Sequence, residues 1–170
     1  PTDTFHHFIG GLQACMSDFT ALFAPNVNSY QRLCHPYASP NNACWSEDNR
    51  AAGLRIPASA PAARRVENRL PGADANPYLA SPASRAAGLH GIEQRLQPSP
   101  AIQGEFEVPE HLSLPCTLHA ALERLKRSAL ARELFGSEFI EGYIASKTLE
   151  LTDFYDEITP WERRVLAAQA

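Results

Sequence analysis

At both ends of this chain apolar residues recur at steps of three and four, and only between Ala43 and Leu70 does that period give way to short, strand-like segments. A chain patterned in this way can build one small sheet, and helices must supply the rest of its core. Phe5, Phe8, Ile9, Leu12 and Met16 form a single apolar helical face near the start. Ser17 or Asp18 can cap a short second helix through Leu22 and Phe23, which Pro25 stops. From Asn26 to Asn42 the reading is loop, because Pro36, Pro40 and a set of Asn and Ser residues favour turns. Segments around Ala43 to Ser46, Gly53 to Pro57 and Arg64 to Leu70 then read as one antiparallel meander.

Beyond the turn at Pro71-Gly72, Asn76 followed by Pro77 marks the cap and first turn of a helix running to about Leu96, with a kink expected at Pro82. Gln97 to Pro115 holds four prolines and reads as a surface-wrapping connection. Thr117 opens a helix through Leu118, Leu122 and Leu125, and Phe139, Ile140, Tyr143, Ile144, Lys147, Leu151 and Phe154 mark a long amphipathic one. Thr159-Pro160-Trp161-Glu162 caps a last short helix. The predicted class is α+β: a small antiparallel sheet flanked by several helices, in one unit spanning 1–170.

With 170 residues, 44% of them hydrophobic and 20% charged, the chain can bury a core. It has no run of about 18 apolar residues and no basic-then-apolar leader, so neither a membrane partner nor a secretory signal is expected, and a cytoplasmic address follows by default. Its net charge of −4 argues against nucleic acid as a partner and requires any anion site to be local. The chain opens on Pro1 rather than Met and enters an amphipathic helix almost at once, which reads as a piece of a longer protein. Cys15, Cys34, Cys44 and Cys116 contain no CxxC pair and read as reduced thiols.

Between Arg50 and Arg69 five arginines, Arg50, Arg55, Arg64, Arg65 and Arg69, stand against Glu67 as the one acid. On a strand Arg65, Glu67 and Arg69 would share a face at intervals of about 7 Å. Two readings stand at this point. One is an ion-pair ladder; the other is a phosphate site in which guanidinium forks hold phosphate oxygens and Glu67 ligates a bridging magnesium ion. His6 and His7, adjacent on a helix, read as surface or core-edge residues. Cys34 and His35 lie beside Arg32 with no partner set by spacing. The Gly10-Gly11 pair lacks the strand-turn-helix context of a phosphate-cradling loop.

Five segments in order carry a family resemblance: Ala24 to Leu33, Asp48-Asn49-Arg50, Leu54-Arg55-Ile56-Pro57, Arg64 to Arg69, and Asp74-Ala75-Asn76-Pro77-Tyr78-Leu79. Together they resemble the C-terminal part of the catalytic domain of glutamine synthetases, over essentially the whole chain. The resemblance implies an ATP-dependent ligase that joins the γ-carboxylate of glutamate to an amine through γ-glutamyl phosphate. It implies Arg32 as a glutamate-binding residue and Arg50 as a contact of both transferring phosphate and glutamate. Arg55 and Arg65 would contact ATP, Glu67 would ligate Mg2+ (or Mn2+), and Arg69 would stabilise the phosphorylated intermediate. The partners so implied are glutamate, ATP and an amine, polyamine or ammonia, in a homo-oligomer.

The departures from the family pattern are equally specific. The other metal ligands, the ATP-binding histidine segment and the N-terminal β-grasp domain would lie upstream of Pro1, so the fragment alone is expected to be inactive. Further strands of that upstream part would pair with the meander, whose exposed edge is a route to self-association. Ala62 stands near a nucleotide-contacting lysine of many members, Phe106 where some carry a regulatory tyrosine, and Ala38 where the loop acid beside the ammonium site is expected. The Ala38 change, with Asn-Val-Asn-Ser-Tyr and the 72–79 segment, looks more like the γ-glutamylpolyamine synthetase branch. An ammonia-using glutamine synthetase and a non-catalytic family member remain the alternatives, with an arginine-rich anion-binding module disfavoured by the acidic net charge.

Overall fold

The computed structural model describes residues 2–34, 39–104, 106–167 and 169. Helix α1 (Asp3–Met16) starts where Thr2 Oγ1 accepts from Phe5 N at 3.3 Å and Asp3 sits in the positively polarised first turn. It buries Ile9, Leu12 and Met16, the face expected from their spacing, together with Gly10, Gly11 and Cys15. A cap at Ser17 or Asp18 does not form. Helix α2 (Thr20–Phe23) follows from Phe19 with no side-chain cap, and the Thr20 hydroxyl donates back to Met16 O at 2.8 Å.

The expected loop from Asn26 is corrected over its first part, where α3 (Val27–Leu33) forms. Asn26 and Ser29 make a capping box, with Asn26 N donating to Ser29 Oγ at 3.1 Å. Asn and Ser favour turns and helix N-termini for the same reason, a short side chain that bonds nearby backbone. Composition therefore could not separate the two outcomes.

Strands β1 (Trp45–Glu47), β2 (Leu54–Ile56) and β3 (Glu67–Asn68) form a sheet in that order. The α+β class holds, but the sheet is mixed rather than an antiparallel meander. β2 pairs antiparallel with β3, whereas β1 and β2 run parallel with Trp45 beside Leu54. Buried Asn42 accounts for this. Its Oδ1 accepts from Cys44 N at 3.1 Å and Gly53 N at 3.0 Å, and its Nδ2 donates to Ala51 O at 3.0 Å. These bonds bring the chain back to the start of β1 before β2 begins. Asp48, at φ 49°, opens that return in the left-handed region that Asp tolerates. Gly53 is required because a Cβ there would lie 1.9 Å from Asn42 O.

Helix α4 (Pro77–Glu93) is capped by Asn76, runs through Pro82 and packs across α1. The contact is backbone on backbone. A Cβ on Gly11 would meet Ala87 O at 2.2 Å, and one on Gly91 would meet His7 O at 2.2 Å. Gly11 is thus a packing residue, and so is His7, whose Nδ1 lies 3.0 Å from Leu96 O.

Residues 97–104 and 106–115 form the expected surface connection, and the first part covers part of the β1 edge. Ile102 N donates to Trp45 O at 3.0 Å, and Trp45 Nε1 donates to Ser99 O at 2.6 Å. Helices α5 (Leu118–Arg127), α6 (Ala129–Phe135), α7 (Ser137–Asp156) and α8 (Pro160–Leu166) complete the chain. The expected caps form at Thr117 and at the Thr159–Glu162 box, while α6 rests on a Ser128 cap and ends at Gly136, φ 83°. Phe19, Phe23, Ile9, Met16, Leu22 and Leu54 are among the largest fully buried side chains. No helix among the described residues is long and apolar enough to cross a membrane.

Candidate active site

The β2–β3 register sets Arg55 directly opposite Glu67. Arg55 Nη1 donates to Glu67 Oε2 at 3.0 Å, Nη2 donates to Asp48 Oδ1, and Arg65 Nη2 reaches Glu67 Oε1 at 3.3 Å. The Arg55 hydrogen bond, then its charge, holds the Asp48 carboxyl below its usual range. Bonding to Asp48 in turn raises Arg55 above the usual guanidinium value, against the effect of burial. An ion-pair ladder is therefore present, running across two strands to Arg55 as well as along the chain to Arg65. Glu67 pairs with Arg65 as expected and not with Arg69, because β3 ends at Asn68 and Arg69 N turns to Gly53 O at 2.9 Å.

Arg69 has no ion-pair partner among the described residues, and its Nη1 is buried without an acceptor. Burial, then the positive charges of Arg55, Arg50 and Arg32, lowers its pKa, with Glu67 opposing. Arg32 comes from the last turn of α3, where Nη1 donates to Ser39 Oγ and Nη2 to Leu70 O. The missing Cβ of Gly72 leaves room for it, since a Cβ there would stand 2.9 Å from Arg32 Nε. Arg50 is exposed in the loop between β1 and β2. Arg32 Nε, Arg55 Nε and Arg69 Nη1 are all buried donors without partners. Leaving such donors unpaired is costly, and guanidinium N–H groups are the donors that pair well with phosphate oxygens.

Carboxylates are the weaker half of the site. Among the described residues no three His, Cys, Asp or Glu side chains are grouped to hold a metal ion, and both Glu67 oxygens already face guanidinium groups. The donor set fits phosphate. It does not by itself complete a magnesium site, to which Glu67 can give one ligand.

Asp48 and Asp74 join the site without a signature of their own. Asp48 lies two positions before the arginine-rich stretch, and only the loop return brings it to Arg55. Asp74 Oδ2 accepts from Ser29 Oγ and, at 3.3 Å, from Asn26 Nδ2, tying the N-terminus of α3 to the 72–76 turn. Burial acts to raise the Asp74 pKa, but the bonds from Ser29 and Asn26, with the charge of Arg32, leave it lowered. A carboxyl depressed on folding stabilises above its ordinary pKa, and that contribution is lost as pH falls through the depressed value. Asp74→Ala is therefore expected to cost about 1 kcal/mol near neutral pH. In urea denaturation the difference from wild type should shrink progressively below about pH 4.

Ala38, on which the amine reading chiefly rests, lies outside the described residues. Trp45 is half-buried, with its ring 6.1 Å from that of His6. Ala62 is exposed on a 3-10 turn and Phe106 packs against the core.

The family model described as the glutamine synthetase catalytic domain matches residues 1–166. This chain belongs to the glutamine synthetase family. A γ-glutamylethanolamide synthetase of Streptomyces coelicolor is 39% identical over 163 residues, covering 96% of this chain and 35% of that protein. A glutamate–isopropylamine ligase of a Pseudomonas species is 38% identical over 160 residues, covering 92% and 35%. A glutamine synthetase of Thermus thermophilus is also 38% identical, over 169 residues, covering 95% and 38%. A solved structure of GmaS without ligand superposes with a TM-score of 0.82 at 33% identity, over 96% of this chain and 38% of that one. The chain thus spans 35% to 38% of the length of these curated relatives.

Proposed function

We propose that the protein containing this chain is an ATP-dependent ligase joining the γ-carboxylate of glutamate to an amine, with residues 1–170 forming the C-terminal portion of its catalytic domain. The observation that carries this reading is the set of unpartnered buried donors on Arg32, Arg55 and Arg69. Family membership and relatives named for glutamate, ethanolamide and isopropylamine support it. A carboxylate oxygen of glutamate bonds to the γ-phosphorus of ATP as the bond to ADP breaks. The amine nitrogen then bonds to the acyl carbon, loses a proton, and expels phosphate carrying that oxygen. Phosphoryl transfer depends chiefly on positioning and charge neutralisation, which arginine forks supply.

In this reading Arg32 holds glutamate, Arg50 spans glutamate and the transferring phosphate, Arg55 and Arg65 bind ATP, and Arg69 neutralises the acyl phosphate. Glu67 gives Mg2+ or Mn2+ one ligand, and the rest come from elsewhere in the longer protein. The isolated chain is accordingly inactive, and the intact enzyme is a cytoplasmic homo-oligomer.

For the amine, an organic amine and specifically a polyamine is the finer reading. Ammonium selection gains from an acid placed to attract the cation and take its proton, and the corresponding residue is Ala38. Phosphate release by the full-length enzyme with glutamate and ATP is expected to show the highest kcat/KM with putrescine or spermidine, above monoamines and ammonium. The near-equal identity to the Thermus glutamine synthetase keeps a second reading in view. Highest kcat/KM with ammonium would make this an ordinary glutamine synthetase.

A further inference from the structure

Cys34 and Cys116 stand 82 positions apart and meet on the surface beside the arginine site's supporting helix. Cys34 Sγ lies 3.4 Å from Cys116 O. Asn41 Nδ2 reaches both sulfurs, at 3.0 Å for Cys116 and 3.9 Å for Cys34, and a further bond to Leu114 O at 3.3 Å helps hold it there. Both thiols are free and exposed, whereas Cys15 and Cys44 are buried. Each stands at a helix boundary. Cys34 is the C-cap of α3, and Cys116 immediately precedes Thr117, the N-cap of α5. A disulfide requires a sulfur separation of about 2.03–2.05 Å.

We infer that Cys34 and Cys116 form a reversible disulfide that clamps the end of α3 to the start of α5. The order of attack follows from the surroundings. Cys116 lines an open cavity of about 250 Å3 with Tyr30, Gln31, Leu118, Leu151 and Tyr155, through which a small-molecule disulfide can approach. Its sulfur also accepts the Asn41 N–H, which favours it as the attacking atom. Cys34 does not line that cavity and acts second; partial burial, then the neighbouring Cys116, raises its thiol above the ordinary value.

In the first step the Cys116 sulfur, as thiolate, bonds to one sulfur of the small disulfide, whose S–S bond breaks and releases a small thiolate. Cys34 then loses its proton to solvent and bonds to Cys116 Sγ, breaking the mixed disulfide and releasing the second small thiol. Two protein thiols are oxidised by two electrons, and the small disulfide is reduced to two thiols. The clamp holds the helix whose last turn carries Arg32, and it uses no residue of the arginine site.

The test is incubation of the full-length protein with oxidised glutathione, followed by non-reducing digestion and mass spectrometry. The expected result is a peptide pair joined through Cys34 and Cys116, the loss of two titratable thiols, and reversal by dithiothreitol. Cys34→Ser should instead retain a stable glutathione adduct on Cys116. Glutathione adducts on both cysteines of the wild type without a joined peptide would overturn the inference. So would the survival of both thiols under these conditions.

Discussion

Arg50→Lys in the full-length enzyme should lower kcat more than tenfold while leaving Tm nearly unchanged. Arg50 is exposed in the 48–53 return, so its side chain contributes little packing. Its charge nevertheless reaches both Asp48 and Arg69. Lysine keeps that charge and removes the planar fork that can hold two oxygens at once. A tenfold loss corresponds to about 1.4 kcal/mol of transition-state stabilisation, a modest demand on a fork of charge-assisted bonds. Steady-state phosphate release and a thermal melt on the same preparation separate the two effects. Normal turnover would leave Arg50 a surface charge.

The largest effects on folding should come from the α1–α4 contact. Gly11→Ala and Gly91→Ala are each expected to cost about 2–3 kcal/mol, because the added methyl group meets opposing backbone that cannot rotate aside. On Gly91 the new Cβ would lie 2.2 Å from His7 O and 2.5 Å from Gly11 Cα, and on Gly11 it would lie 2.6 Å from Gly91 N. The double variant should cost less than the sum, since one separation of the helices relieves both clashes. Gly142→Ala is the internal control. Nothing lies within 4 Å of its Cβ position on α7, so the substitution should stabilise by about 0.5–1 kcal/mol through helix propensity alone. Denaturant titration of the four proteins against wild type reads all of these values.

Periodicity made the helices legible, as Phe5, Ile9 and Leu12 in α1 and Leu118, Leu122 and Leu125 in α5 show. Where a single side chain decides the path, the sequence was silent. Asn42 turns the chain so that β1 and β2 run parallel, and nothing local distinguishes that Asn from one in a loop. The same holds for Asn26 and Ser29, which cap α3 rather than break it. In the site, the arginine excess and the pairing of Glu67 with Arg65 were readable from spacing. The Arg55–Glu67 pair, the Asp48 contact and the turning away of Arg69 depend on register across strands, which a short strand pair leaves open until packing sets it. Cys34 and Cys116 illustrate the limit most plainly, since no spacing rule joins residues 82 positions apart.

The ligase reading stands or falls on the fate of the glutamate γ-carboxylate oxygen. The full-length enzyme would be supplied with ATP, an amine and glutamate labelled with heavy oxygen in that carboxylate, and the released phosphate examined by mass spectrometry. Phosphate carrying a labelled oxygen, formed only when glutamate and amine are both present, is the expected result. Unlabelled phosphate would place the bond cleavage elsewhere and contradict the acyl-phosphate route, and no phosphate release with any amine would contradict the assignment of a ligase.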